Sequence, residues 1–192
     1  MYRKPGEATK TELAGDDPYG KQAAIARCVP MWGGCSSGGF GILAFHKSKK
    51  ISQTEWIQAL RSGVVKKVLK DTNPHNRTGP WHLLCDNEGF LEAKEVKKMY
   101  KKLRVKLWHV PPRSPDLAPV EKMWAWLRKH LRAMDLKDAI AKRPVLGKTA
   151  YRERVRRTLK TSKAQQTAKN IANSLRKSCR MVLKAKGAAV RG

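Results

Sequence analysis

A short apolar run, Trp81-His82-Leu83-Leu84-Cys85, delivers Asp86-Asn87, and 34 residues further on Glu121 follows Ser114-Pro115-Asp116-Leu117-Ala118-Pro119-Val120. Metal-assisted phosphoryl transfer takes acidic oxygen ligands gathered around one or two Mg²⁺ ions, which sit about 3.5–4 Å apart in two-metal sites. A strand end and a helix start are rigid mounts for such ligands. Asp86 closes the first, and Glu121 falls in the first turn of the second. The same residues have plainer uses. Asp-Asn is a turn signal, and a glutamate in a first helical turn complements the helix dipole.

The elements that must position the pair can be read from local pattern. Residues 1–27 are polar and unpatterned. Cys28–Trp32 and Phe40–Phe45 read as a β-hairpin around Gly33-Gly34 and Gly38-Gly39. Ser52 and Glu55 form a capping box that opens a helix with Trp56, Leu60, Val64 and Val68 on its buried stripe. The run from Trp81 to Cys85 predicts a strand buried on both faces. A helix over 90–103 buries Val96, Met99, Tyr100 and Leu103 and leaves its lysines outside. Val105–Val110 is a further strand, ended by Pro111-Pro112. Asp116 is placed to cap the last core helix, in which Val120, Trp124, Leu127, Leu131 and Met134 share a face. Trp126 lies off that stripe. Strand and helix alternate, so the domain is α/β and ends near residue 135.

Charge singles out a class of partner. Lys and Arg number 42 against 15 Asp and Glu, a net +27, and residues 136–192 alone hold 17 basic and 2 acidic side chains. That imbalance attracts phosphate backbones. In the tail, Arg152, Arg154, Arg156 and Arg157 crowd one helix. Arg176 and Arg180 flank the thin apolar stripe Ala168-Ile171-Leu175-Cys179-Val182 of another. The lysine face of residues 94–106, including Lys97 and Lys101, either tracks phosphates or is a solvated face. No apolar run reaches membrane-spanning length. Cys28, Cys35, Cys85 and Cys179 lack paired spacing and read as reduced thiols of an intracellular protein; zinc on Cys28, Cys35 and a histidine is the lesser alternative. His46, His75, His82, His109 and His130 have no ligand spacing and read as structural or surface residues.

Cys85-Asp86-Asn87 followed by Pro111-Pro112-Arg113-Ser114-Pro115-Asp116-Leu117-Ala118-Pro119-Val120-Glu121-Lys122-Met123-Trp124 closely resembles the catalytic half of Tc/mariner-type DDE transposases. In that family an aspartate-asparagine pair precedes S-P-D-L-N-P-[IV]-E-x-x-W. Arg3-Lys4-Pro5-Gly6-Glu7 is similar to the family's polar link after its first strand, and Met31-Trp32-Gly33-Gly34-Cys35-Ser36 to its tryptophan-glycine hairpin strand. The resemblance spans about residues 3–135.

What the resemblance implies is a ribonuclease H-like fold, a mixed sheet flanked by helices, and Mg²⁺- or Mn²⁺-dependent cutting and joining of DNA in the nucleus. Asp86 matches the second catalytic aspartate and Glu121 the final glutamate, both as metal ligands. The family's first aspartate lies before the segment similar to Arg3–Glu7, Ala118 stands where asparagine is usual, and no histidine closely follows Asn87. The expectation is therefore an incomplete ribonuclease H-like domain over 1–135 with weakly held metal, and a basic α-helical tail over 136–192. Lys97, Lys101, Arg113, Arg152, Arg156, Arg157, Arg176 and Arg180 are the expected nucleic-acid contacts, with DNA the first partner and self-association a second. Two alternatives stand beside it: an active enzyme completed by Asp16, Asp17, an upstream extension or a partner chain, and a structural RNA- or ribosome-associated protein.

Overall fold

The computed structural model describes residues 29–45, 52–75, 78–111, 114 and 117–186. Strands β1 (Met31–Ser36) and β2 (Gly39–Phe45) pair antiparallel, with Ser36 opposite Gly39. The turn is therefore Ser37-Gly38, and Gly33-Gly34 lie within β1 rather than at the bend. Gly38 must be small because its main chain docks on the helix that follows. Its N–H donates to Thr72 O at 3.0 Å, and a Cβ would stand 2.2 Å from the same oxygen. The Ser36 hydroxyl also bonds Thr72 O. A helix-end carbonyl with no intrahelical partner is thus satisfied by the hairpin.

Helix α1 (Gln53–Arg61) opens on the expected capping box: Ser52 Oγ accepts from Glu55 N at 3.2 Å, and Glu55 Oε2 accepts from Ser52 N at 2.8 Å. The expected long helix is two. Gly63, at φ 78, breaks it, and α2 (Val64–Asp71) resumes with a rotated face. Val65 and Leu69 are buried there, while Val64 is 37% exposed and Val68 half-buried. Trp56 and Leu60 are core as expected, joined by Ile57.

Strands β3 (Trp81–Cys85) and β4 (Val105–His109) pair parallel, with Trp81 opposite Val105 and Cys85 opposite His109. A 3₁₀ turn (Gly89–Glu92) and helix α3 (Lys94–Leu103) form the crossover between them. As expected, α3 buries Val96 and Tyr100, packs Met99 and Leu103 on the core and exposes its lysines. The expectation that β3 is buried on both faces fails. Trp81, Leu83 and Cys85 contribute to the core, whereas His82 and Leu84 face outward, because the helices and hairpin cover one face of this pair. The mixed sheet is realised as one antiparallel and one parallel pair, with no ladder between them among the described residues. Side chains join them: Trp32 of β1 lies 4.5 Å from the Trp56 ring and 5.9 Å from Phe90. Trp56 is fully buried, and its indole N–H donates to Tyr100 OH at 2.9 Å, so no polar atom of that ring is stranded.

Helix α4 (Pro119–Ile140) runs through residue 135 without a break, followed by α5 (Lys148–Lys160) and α6 (Ser162–Lys184). These helices cover the other face of the hairpin. Phe40 is buried with Met123, Leu127, Leu131, Tyr151, Val155, Leu159, Ala164 and Ala168 in a second core. Met123 is fully buried there and was not on the expected stripe. Trp124 packs edge-on against Phe40 at 5.4 Å, and Trp126 stacks on His130 at 5.1 Å. Two buried acids pin α4 to α5. Asp135 accepts from Tyr151 OH at 3.1 Å and Arg154 Nη1 at 2.9 Å, and Asp138 is held by Arg154 Nη2 and by Arg143 Nη1 at 2.9 Å. The Arg154 guanidinium, then Arg143, holds the Asp138 carboxyl below the ordinary aspartate range.

Candidate active site at the ends of the parallel strands

Parallel pairing brings the C-terminal ends of β3 and β4 together. Val110 N donates to Cys85 O at 2.8 Å, which carries the ladder one residue past β4, and Asn87 Nδ2 donates to Val110 O at 3.4 Å. Asp86 leaves β3 at this end with its side chain exposed. Its main-chain oxygen faces His109 Nδ1 at 3.2 Å, and His109 Nε2 lies 2.7 Å from Glu92 Oε1. Glu92 Oε2 in turn pairs with Lys97 Nζ at 2.6 Å. Both ring nitrogens of His109 thus meet acceptors, an arrangement that only the doubly protonated ring satisfies. The hydrogen bond to Glu92 accordingly raises the His109 pKa above its usual value, against some burial and with help from the Asp86 carbonyl. Glu92 is held below the usual range by Lys97 and then His109.

Cys85 is no nucleophile here. Burial, then the Asp86 and Glu92 charges, push its thiol up to about 12, so the thiolate is scarce at neutral pH. Burial likewise pushes Cys35 up to about 11.

Glu121 comes from the segment that leaves the same strand end through β4. Helix α4 starts at Pro119, whose missing N–H costs nothing at a helix start. Ala118 occupies the cap position without a side-chain bond, and Glu121 N donates to Ala118 O at 3.0 Å. The expected cap, Asp116, lies outside the described residues, as does Arg113. Glu121 is exposed in the first turn. Asp86 and Glu121 offer hard oxygen donors of the kind Mg²⁺ and Mn²⁺ take. Among the described residues no three His, Cys, Asp or Glu side chains gather as a metal-binding group. The contacts of the Asp86 segment run to His109, and through it to Glu92. Sequence spacing gave no hint of either: the signal is the Cys85–His109 register, visible only once the strands are known to be parallel.

The expected cationic contacts fall in three places. Lys97 and Lys101 line an open depression along α3 with Lys94 and Lys98, and Lys97 is engaged by Glu92. On α5, the Arg152 and Arg156 guanidinium groups lie 5.4 and 5.0 Å from the Phe45 ring centre, within cation–π range. Arg156 also pairs with Glu153, Arg152 Nε is buried with no hydrogen-bond partner, and Arg157 is exposed. Arg176 and Arg180 are exposed on the outer half of α6. No helix among the described residues is long and apolar enough to cross a membrane.

No curated protein matches the chain. Among solved structures, it is similar to the Mos1 transposase catalytic domain determined with raltegravir and Mg, at 14% identity and a TM-score of 0.59 over 87% of each chain. A second structure of that domain, with raltegravir and Mn, gives 12% identity and a TM-score of 0.60 over 87% of this chain and 86% of the other. The family profile described as DDE superfamily endonuclease matches residues 8–141. The chain therefore belongs to the DDE superfamily endonucleases, with the ribonuclease H-like fold.

Proposed function

We propose that this chain is a transposase-derived protein that binds DNA in the nucleus, with Asp86 and Glu121 as two carboxylates of a divalent-metal site. The observation that carries the reading is the parallel β3–β4 register, which opens Asp86 and the segment leading to Glu121 from one strand end. Mg²⁺ or Mn²⁺ bound there would supply charge neutralisation and activation of the attacking oxygen in phosphoryl transfer. The chain's own residues hold the mount: His109 ties the Asp86 carbonyl to Glu92, and Asn87 ties the turn to Val110.

Among the described residues no third acidic side chain joins Asp86 and Glu121, so a divalent ion held by them would have few carboxylate ligands. In this reading the metal is weakly held and strand transfer is absent from the chain alone. The cationic residues of α3, α5 and α6 bind nucleic acid through phosphates, without base readout. Incubating purified protein with supercoiled plasmid and Mg²⁺ or Mn²⁺ tests the first part. No nicking is expected, and nicking abolished by Glu121→Ala would overturn it in favour of an enzyme completed by Asp16, Asp17 or a partner chain. Binding to duplex DNA that stays the same from low to high salt would overturn the second.

A further inference from the structure

The outward face of the β3–β4 pair carries four side chains that the site does not use. Register sets His82 beside Lys106 and Leu84 beside Trp108, and all four are exposed. Trp108 is 57% exposed and Leu84 38%. A tryptophan this open is free to turn unless something holds it. Here the indole N–H donates across the strands to His82 Nδ1 at 2.7 Å, with the rings 5.9 Å apart and tilted by 39°. The indole is therefore fixed and still presents ring surface to solvent.

The position of this face is as telling as its composition. The Leu84–Trp108 rung is next to the Cys85–His109 rung that ends the ladder, and Asp86 follows immediately. At about 3.3 Å of rise per residue, two residues of chain separate the rung from Asp86 by roughly 7 Å. Lys106 stands exposed on the same face, two residues before Trp108 on β4, while Lys101 and Arg104 are exposed at the other end of that strand.

We infer that this face is a stacking platform for an unpaired nucleotide base, with Trp108 under the base and Lys106 toward the adjoining phosphate. The inference rests on the nucleic-acid reading above and deepens it. A net charge of +27 selects a polyanion. Two apolar side chains are far less than the roughly 800 Å² per partner of a stable protein interface. A flat indole needs an aromatic face to meet, and duplex bases present only their edges in the grooves. Single strands offer such faces at every nucleotide. The platform would hold an unstacked nucleotide beside the carboxylate end of the strands.

The test compares binding of a fluorescent oligothymidylate with binding of a duplex of equal length, for the wild-type chain, Trp108→Ala and Trp108→Phe. Aromatic stacking on one base predicts that Trp108→Ala weakens single-strand binding about 5- to 100-fold. Trp108→Phe should recover most of the loss, and duplex binding should be unchanged. The loss should persist at high salt, where phosphate contacts fade. In a parallel measurement on the wild-type chain, a bromouridine oligonucleotide irradiated in the complex should crosslink to Trp108. Equal losses for both nucleic acids, no loss, or crosslinks only elsewhere would overturn the platform. A wild-type chain that binds neither form would overturn the nucleic-acid reading and the platform together; duplex binding without a Trp108 effect overturns the platform alone.

Discussion

The side-chain amide of Gln165 completes the main-chain hydrogen bonding of Phe40, 125 residues earlier: Phe40 N donates to Gln165 Oε1 at 3.0 Å, and Gln165 Nε2 donates to Phe40 O at 3.2 Å. The same nitrogen reaches Leu159 O at 2.7 Å. One side chain on α6 thus pairs with β2 as another strand would and ties α5 to both. Gln165→Leu leaves the Phe40 N–H and carbonyl without those partners, which costs about 1–3 kcal/mol. For a chain of this size that lowers the melting temperature by about 2–4 °C per kcal/mol. Thermal unfolding followed by circular dichroism checks it; an unchanged midpoint would show that the amide pairing is worth nothing.

The α4–α5 link is sensitive to acid. The Arg154 guanidinium, then Arg143, holds the Asp138 carboxyl below its ordinary pKa. As pH falls, the unfolded chain takes up this proton first, so the link's contribution is complete above about pH 3.8 and is lost as pH drops through the folded-state value. Arg154→Leu should lower stability at neutral pH and flatten the fall of stability between pH 4 and more acid conditions. Urea midpoints across that range decide it, and parallel curves for the two proteins would count against the link.

Gly63 stands at φ 78 with nothing within 4 Å of the position a Cβ would take. Gly63→Ala therefore meets no clash and should cost only the left-handed backbone penalty, about 1–2 kcal/mol. A urea titration showing a loss several times larger would mean that the break between α1 and α2 does more than redirect the chain.

Neutralising α6 should reveal itself through salt. Arg176 and Arg180 are exposed and unneeded by the core, so Arg176→Gln with Arg180→Gln should leave melting unchanged while weakening DNA binding. If each contacts a phosphate, the slope of log affinity against log salt becomes shallower by about 2. An unchanged slope would remove α6 from the interface.

In the proposed reading, metal affinity separates Asp86 and Glu121 from His109, which braces only the Asp86 main chain. Asp86→Asn and Glu121→Gln should each abolish residual Mn²⁺ binding, read as paramagnetic broadening of nearby amide signals. His109→Gln keeps one donor and one acceptor on a shorter reach, and should weaken binding without abolishing it. Equal broadening in all variants would place the ion elsewhere.

Features written in adjacent residues were legible in the sequence. The Ser52–Glu55 capping box, the lysine-clad α3 and the alternation of Val105, Leu107 and His109 all rest on spacings within a turn or a strand. Local pattern failed where a distant layer decides the answer. Trp81–Cys85 is apolar enough for two buried faces, yet its neighbours cover one. The left-handed Gly63 splits a stripe that reads as continuous. Gln165 and the Asp135–Arg154–Asp138 network depend on how α5 and α6 dock, which no short window contains. Asp86 and Glu121 are singled out by the wording of their flanks rather than by their separation, and their role is the proposal made above. His109 and Glu92 became legible only through strand register.

The hairpin packs on both faces, with Trp32 and Leu43 against one core and Phe40 and Ile42 in the other. Its first face can be covered by residues up to Leu107, but its second waits for α6. At ribosomal rates of about 5–20 residues per second, Phe40 emerges roughly 6–25 s before the Gln165 amide that pairs with it. Over that interval β2 is an apolar, unpaired edge on a growing chain, and production of this protein should depend on whatever shields nascent strands from one another.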